Sequence, residues 1–271
     1  MNNKKIIEKD TVMEIDTRFN PSPQTNSEKI VYGITDKGNR LSNEDNILIK
    51  KIDDIHLLIV ADGVGGHNAG DFASNMAINI LQDLMSKEYN RNLPIKDLEN
   101  LLKKYHAMAH MELLKNAIDD KKGMGTTLTT SIIKEDKCII ANTGDSRAYL
   151  IRDNYILSKT ADHSLVQELI DGGHISEEKA MIHPLKNIIT SALGLTNFKV
   201  DVYEWNLIDG DVILISSDGL HDYVSKKDIL NIVKNNSNSK DIVNKLFKLA
   251  LKKTKDNVSI ICYKKFKKCR L

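Results

Sequence analysis

Cysteine is scarce in this chain: Cys138, Cys262 and Cys269 make an odd count with no C-x-x-C pair. The pattern argues for a reducing compartment rather than a disulfide scaffold. Two of the three stand in apolar runs, where buried thiols are usual. Long hydrophobic runs are also missing. No segment approaches the length that spans a bilayer, and the start, "MNNKKIIEKDTVMEID", has no apolar stretch of signal-peptide length. The expected location is the cytoplasm. An excess of one charge is lacking too: 39 basic and 37 acidic side chains leave a formal charge of +2, which gives no electrostatic case for nucleic acid or a membrane surface. The basic ending "KKFKKCR" reads as a solvated tail. No internal repeat stands out.

What the chain has in quantity is short apolar runs. From Ile30 onward, "IVYGIT", "NILIK", "IHLLIVA", "TTLTTSII", "KCIIANT", "RAYLI", "YILSK", "VDVYEWN", "DVILISS" and "NVSIICY" have strand character, several bounded by turn words such as "RDN" and "KEDK". Between "GTTLTT" and "YILS" the gaps are too short for parallel crossovers, so that stretch predicts an antiparallel meander. Phe72, Met76, Ile80 and Leu84 recur at helical spacing, and Leu98, Leu101, Leu102, Tyr105 and Met108 do so behind Pro94. Two further helices are expected over "SKKDILNIVKN" and "SKDIVNKLFKLALKK". Strands and helices that come in separate batches predict an α+β fold: an αββα sandwich, two antiparallel β-sheets flanked by helices. One domain is expected over residues 29–264, after a loose N-terminal arm (1–28) and before a basic tail (265–271).

Acidic residues gather at the ends of these runs. Glu44 and Asp45 follow the first strand, Asp62 ends the third, Asp145 ends "CIIANTG", Asp218 ends "VILISS" and Asp256 opens the last. Any one of them could be an ordinary turn residue. Strand ends of a sandwich converge on its rims, however, so several can meet at one place. Gathered carboxylates repel, and a bound cation relieves the repulsion. Oxygen-only ligands favour Mg²⁺ or Mn²⁺ over zinc. Asp62 is the candidate bridge between two ions, because Gly63 lets its own carbonyl approach them, and such a pair makes bound water acidic enough to attack an ester. Arg40, four residues before Glu44, offers a guanidinium fork suited to phosphate oxygens.

Other signatures are absent. Six residues after Cys138 stands Gly144, and after Cys262 stands Lys268, so the cysteine-phosphatase spacing to arginine is missing. "GGHNAGD" lacks the Lys-Ser/Thr of a P-loop, and "GDSRA" lacks the last glycine of a nucleophile elbow. His106 and His110 have the i, i+4 spacing of a zinc pair without a catalytic glutamate, and they read as helix-surface residues.

In order, "GNRLSNED", "ADGVGGHNAG", "GMGTTLTT", "NTGDSRAYL", "TADHSL", "ITSALG", "SSDGLHD" and "KDNVSII" resemble the words of the metal-dependent Ser/Thr protein phosphatases of type 2C, the PPM family, in its compact bacterial branch. The likeness runs from Ile30 to Tyr263. It implies the αββα sandwich and a pair of Mn²⁺ or Mg²⁺ ions, with a third ion in many members. Carried over by residue, Asp62 is similar to the bridging carboxylate and Gly63 to the carbonyl ligand. Asp218 and Asp256 resemble acids of one ion's shell, Glu44 and Asp45 acids that act largely through water, and Asp145 with Asp218 the third site. Arg40 resembles the phosphate-binding arginine. His67 is the nearby candidate for a catalytic proton donor, whereas His163 and His221 read as structural. Residues 164–190 resemble the flap beside the active site, expected to be mobile and to touch the substrate.

The resemblance thus implies a phosphatase for phosphoserine and phosphothreonine in which a metal-bridging hydroxide attacks phosphorus in line, acting as a monomer on phosphorylated proteins, a Ser/Thr kinase among them. A catalytically silent binding relative, or a metal-dependent hydrolase of small phosphate esters, are the alternatives.

Overall fold

Eleven strands and seven α-helices are formed by the described residues, 30–65 and 69–266, of a computed structural model. The expected N-terminal arm, His67 and the last five residues of the basic tail lie outside the described residues. The chain begins with β1 (Val31–Asp36), β2 (Asp45–Ile52) and β3 (Ile55–Val64), then the helices α1 (Ala69–Glu88) and α2 (Ile95–Asn116). The meander follows as β4 (Gly125–Thr126), β5 (Leu128–Lys134), β6 (Lys137–Thr143), β7 (Arg147–Arg152) and β8 (Tyr155–Lys159). Two short helices, α3 (Leu165–Asp171) and α4 (Glu177–Met181), precede β9 (Asp201–Asn206) and β10 (Val212–Ser216). The chain closes with α5 (Asp218–His221), α6 (Lys226–Lys234), α7 (Ser239–Ala250) and β11 (Val258–Lys264).

Two antiparallel sheets result. One has the order β1-β11-β10-β7-β8, the other β2-β3-β5-β6-β9 with β4 paired to β3. Residue alternation explains the layering. In β3, Leu58 and Val60 point to the layer between the sheets, where they meet Ile140, Leu150, Ile213 and Ile261. Leu57, Ile59 and Ala61 point the other way, onto α1 and α2. In β11, Ile261 and Tyr263 face the other sheet, while Val258, Ile260 and Cys262 pack under α7. A strand buried on both faces needs apolar residues at nearly every position, hence the continuous runs. The expected αββα sandwich is what forms.

The helices exist where periodicity placed them, but two of their buried faces differ. On α1 the buried line is Ala69, Ala73, Ala77, Leu81 and Met85, whereas Phe72 is exposed and Met76, Ile80 and Leu84 are only partly buried. Small side chains let the helix lie close to the sheet, and large neighbours a quarter-turn away fill its flank. On α2 the line runs Leu98, Leu102, Tyr105, Ala109, Leu113, and Met108 stays exposed. α6 and α7 start on side-chain caps: Ser225 Oγ accepts from Asp228 N, and Asn238 Oδ1 from Asp241 N.

Further corrections concern polar residues. His106 is no surface residue: its ring is fully buried and bonds Thr130 Oγ1 at 3.0 Å and Thr143 Oγ1 at 3.3 Å. His110 stacks on Phe198 and accepts from Gly194 N. The basic ending is not all solvated either, since Lys265 is buried with its ammonium on Glu135 O and Asp136. Among the described residues no helix is long and apolar enough to cross a membrane.

Candidate active site

Antiparallel pairing decides which strand ends share a rim. Asp45 at the start of β2 pairs in register with Asp62 near the end of β3. The start of β5 lies beside the end of β3, and the end of β6 beside the start of β5, which brings Asp145 to the same rim. In the other sheet, the end of β10 pairs with the start of β11, so Asp218 and Asp256 meet there. Glu44 and Gly63 are joined by Gly63 N donating to Glu44 O at 3.1 Å. Strand pairing therefore places Glu44, Asp45, Asp62, Gly63, Asp145, Asp218 and Asp256 along one edge.

The acids share one electrostatic environment. Burial pushes the Asp62 carboxyl well above its ordinary range, and Asp45, Asp218, Asp145 and Asp256 push it further. Burial also dominates at Asp218, followed by Asp145 and Asp256. Asp45 and Asp145 are each raised to about 7, mainly by burial. Glu44 is raised by burial, with Arg40 opposing and Asp71 adding. Asp45 Oδ2 accepts from Ser217 Oγ at 2.7 Å, but its buried Oδ1 has no hydrogen-bond partner.

Arg40 sits against this cluster. Its Nη2 donates to Asp256 Oδ2 at 2.8 Å and its Nε to Lys255 O at 3.1 Å, and its guanidinium group remains largely exposed. Among the described residues, the ion pairs stop at Asp256 and, on the far side, at Asp162 on Arg147; none includes Asp45, Asp62, Asp145 or Asp218. Nor are three His, Cys, Asp or Glu side chains drawn together there as a finished ion cage. The carboxylates stand apart around the rim.

Thr127 and Asn257 position this edge without being singled out by the sequence, whereas His163 and His221 keep the structural role expected of them. Thr127 breaks the expected run "TTLTTSII" into β4 and β5 because it serves Asp62: Thr127 Oγ1 accepts from Asp62 N at 2.9 Å and Thr127 N donates to Asp62 O at 2.8 Å. Asn257 Oδ1 accepts from Glu44 N, while its Nδ2 donates to Lys37 O and Ser42 O. His163 Nδ1 accepts from Gly144 N and leaves Nε2 to donate to Asp201 Oδ2, fixing the loop that carries Asp145. His221 Nδ1 meets Ser216 Oγ, so both histidines belong to the framework. Asn257, His163 and His221 each stand next to an acid inside the sequence words quoted above, and that adjacency is the available signal; Thr127 has no acid near it in sequence and no such signal. Gly63 has a steric reason to be glycine: an added Cβ would come within 2.1 Å of Gly70 O and 2.7 Å of Glu44 O.

Beyond Asp145 and Asp218 opens a pocket of about 110 Å³ whose wall includes Arg147, Lys159, Lys186 and Asp222. Residues 164–190 cover it. Lys186 pairs with Asp222 at 2.5 Å and Glu177 with Lys226, so two ion pairs join this covering segment to the α5–α6 region.

The protein phosphatase 2C model matches residues 24–169 of the chain. A "Serine/threonine phosphatase stp" of Listeria monocytogenes is 41% identical over 205 residues, 74% of this chain and 81% of the relative. The crystal structure of Stp1 from Staphylococcus aureus, a serine/threonine phosphatase, is 33% identical, covers 90% of this chain and 98% of its own, and superposes with a TM-score of 0.82. The catalytic domain of PstP in complex with two manganese ions is 30% identical over 88% of this chain and 98% of its own, with a TM-score of 0.73. The chain belongs to the protein phosphatase 2C family of serine/threonine phosphatases.

Proposed function

We propose that the acidic rim holds Mg²⁺ or Mn²⁺ and that the chain thereby hydrolyses phosphoserine and phosphothreonine in phosphoproteins, a Ser/Thr kinase among them. The observation that carries this reading is the set of carboxylates that both sheets bring to one rim, Asp45 and Asp145 among them buried, with one orphaned oxygen at Asp45. A cation between them supplies the missing partner, and an all-oxygen donor set suits a hard ion. Asp62, the Gly63 carbonyl, Asp218 and Asp256 would hold the core ions, Glu44 and Asp45 would act through water, and Asp145 with Asp218 would take a third.

When bound, such ions supply an acidified water for attack on phosphorus and neutralise charge on the phosphoryl oxygens. The side chains do the rest. Arg40 presents an exposed fork at the rim and exchanges its bond to Asp256 for two phosphate oxygens, which orients the ester. Ser217 and Asn257 keep Asp45 and Glu44 in place while this exchange occurs. Neither described thiol is placed to form a phosphoenzyme: Cys138 and Cys262 are fully buried, and burial pushes both thiols up, Cys262 to about 12.

The test is hydrolysis of a phosphothreonine peptide with Mn²⁺ by the wild type and by Asp62→Ala, Asp218→Ala and Asp256→Ala, with circular dichroism to confirm folding. Each variant should lose activity by about a hundredfold or more, a typical effect of removing charge stabilisation. Full activity in any one refutes the assignment, and a preference for a nucleotide monophosphate over the phosphopeptide refutes the substrate class.

A further inference from the structure

Two loops beside Arg40 form a single ledge. Asn39 Nδ2 donates to Thr254 O at 2.7 Å, Arg40 Nε to Lys255 O at 3.1 Å, and Asn257 Nδ2 to Lys37 O and Ser42 O at 2.9 and 2.8 Å. Gly38 lies directly on Asp256 O, where an added Cβ would stand 2.1 Å away. The ledge is rigidly tied by backbone acceptors, so substitutions in its outer side chains leave these bonds intact.

Its charges are sorted. The carboxylates turn inward: Asp36 Oδ1 accepts from Gly38 N, and Asp256 accepts from Arg40 and from Asn257 N. The lysines turn outward. Lys37, Lys252, Lys253 and Lys255 are all exposed, and none is in an ion pair among the described residues. Lys252 and Lys253 follow the C-terminus of α7 and complement its dipole. Lys37 and Lys255 lie on loops, where no helix end accounts for them. In a chain of net charge +2, this is a local concentration of positive charge beside the proposed phosphate-binding arginine.

We propose that the ledge selects phosphoprotein segments with acidic side chains next to the phosphorylated residue. The inference rests on the hydrolysis proposed above. A segment whose phosphate is held at Arg40 advances about 3.3–3.6 Å per extended residue, so its nearest neighbours on one side lie over the lysines. At that range, within a Debye length, aspartate and glutamate are attracted and lysine or arginine is repelled.

Three phosphothreonine peptides test this with Mn²⁺ present: one with flanking glutamates, one with neutral flanks, and one with neutral flanks and a second phosphothreonine. The triple variant Lys37→Gln/Lys253→Gln/Lys255→Gln is compared with the wild type. Because each exposed pair contributes little, three together should give the wild type about a tenfold preference in kcat/KM for the acidic peptide over the neutral one at low salt. High salt should shrink that preference towards one. The triple variant should lose it through KM, with its rate on the neutral peptide unchanged within about twofold. Equal rates on acidic and neutral peptides overturn the inference, as does a variant slowed equally on both, or a preference confined to the doubly phosphorylated peptide. No hydrolysis of any peptide by the wild type overturns the underlying phosphatase reading, a result distinct from hydrolysis without preference.

Discussion

Replacing Arg147 by methionine isolates one ion pair next to the site. Arg147 Nε donates to Asp162 Oδ1 at 2.8 Å and Nη2 to Asp162 Oδ2 at 2.6 Å, a two-bond fork between β7 and the strand-to-flap junction. The Asp162 side chain is only 7% exposed and that of Arg147 22%. Removing the guanidinium group leaves a buried carboxylate without its hydrogen-bonded counter-charge, which costs about 3 kcal/mol, towards the lower end for buried pairs because the arginine is partly wet and Lys159 also faces Asp162. That is a large share of the roughly 5–15 kcal/mol by which a domain is stable. Removing both charges, as Arg147→Met/Asp162→Leu, leaves nothing stranded and should return to within about 1 kcal/mol of the wild type. Urea unfolding of the wild type, the two single variants and the double variant supplies the cycle. The reasoning fails if the double variant is as unstable as Arg147→Met, because the loss would then come from packing rather than from an uncompensated charge.

Other consequences follow from the same contacts. Burial pushes the His106 imidazole down to about 3, so below pH 6.5 the unfolded chain takes up a proton that the folded one refuses. Stability should therefore fall by about 1 kcal/mol from pH 6.5 to 5.5 on account of this residue. A His106→Gln variant should lack that part of the slope in chemical denaturation; an unchanged slope contradicts it. Gly63→Ala drives a Cβ into two backbone oxygens. It should cost about 2 kcal/mol or more, seen as a lower Tm in chelator, and should also displace Asp62 and so depress activity. A Tm equal to that of the wild type would show that the β3 end and α1 can separate freely.

Much of this architecture was legible in the sequence because apolar runs bounded by turn words have few other outcomes. β3, β10 and β11 are buried on both faces and are mostly apolar, and β6 keeps its polar residues to its two ends. The order of the acids was legible for the same reason, since each follows or precedes such a run. The division of β4 from β5 was not, because it depends on Thr127 turning to bond the main chain of Asp62, a partner 65 residues away. The α1 face departs from the spacing of its large residues because alanines make the contact with the sheet. The burial of His106 has no sequence signal, because its partners, Thr130 and Thr143, arrive from two strands that helix periodicity does not reveal. The pairing of Arg40 with Asp256 joins residues 216 apart and has no local signature.

Calorimetric titration of the metal-free protein with Mn²⁺ at neutral pH, for the wild type and Asp62→Asn, bears most directly on the acidic rim. The account predicts that the wild type takes up at least two ions and that the variant, with one central charge removed, loses the tighter binding. Absence of Mn²⁺ binding to the wild type, or identical isotherms for the two proteins, would contradict it.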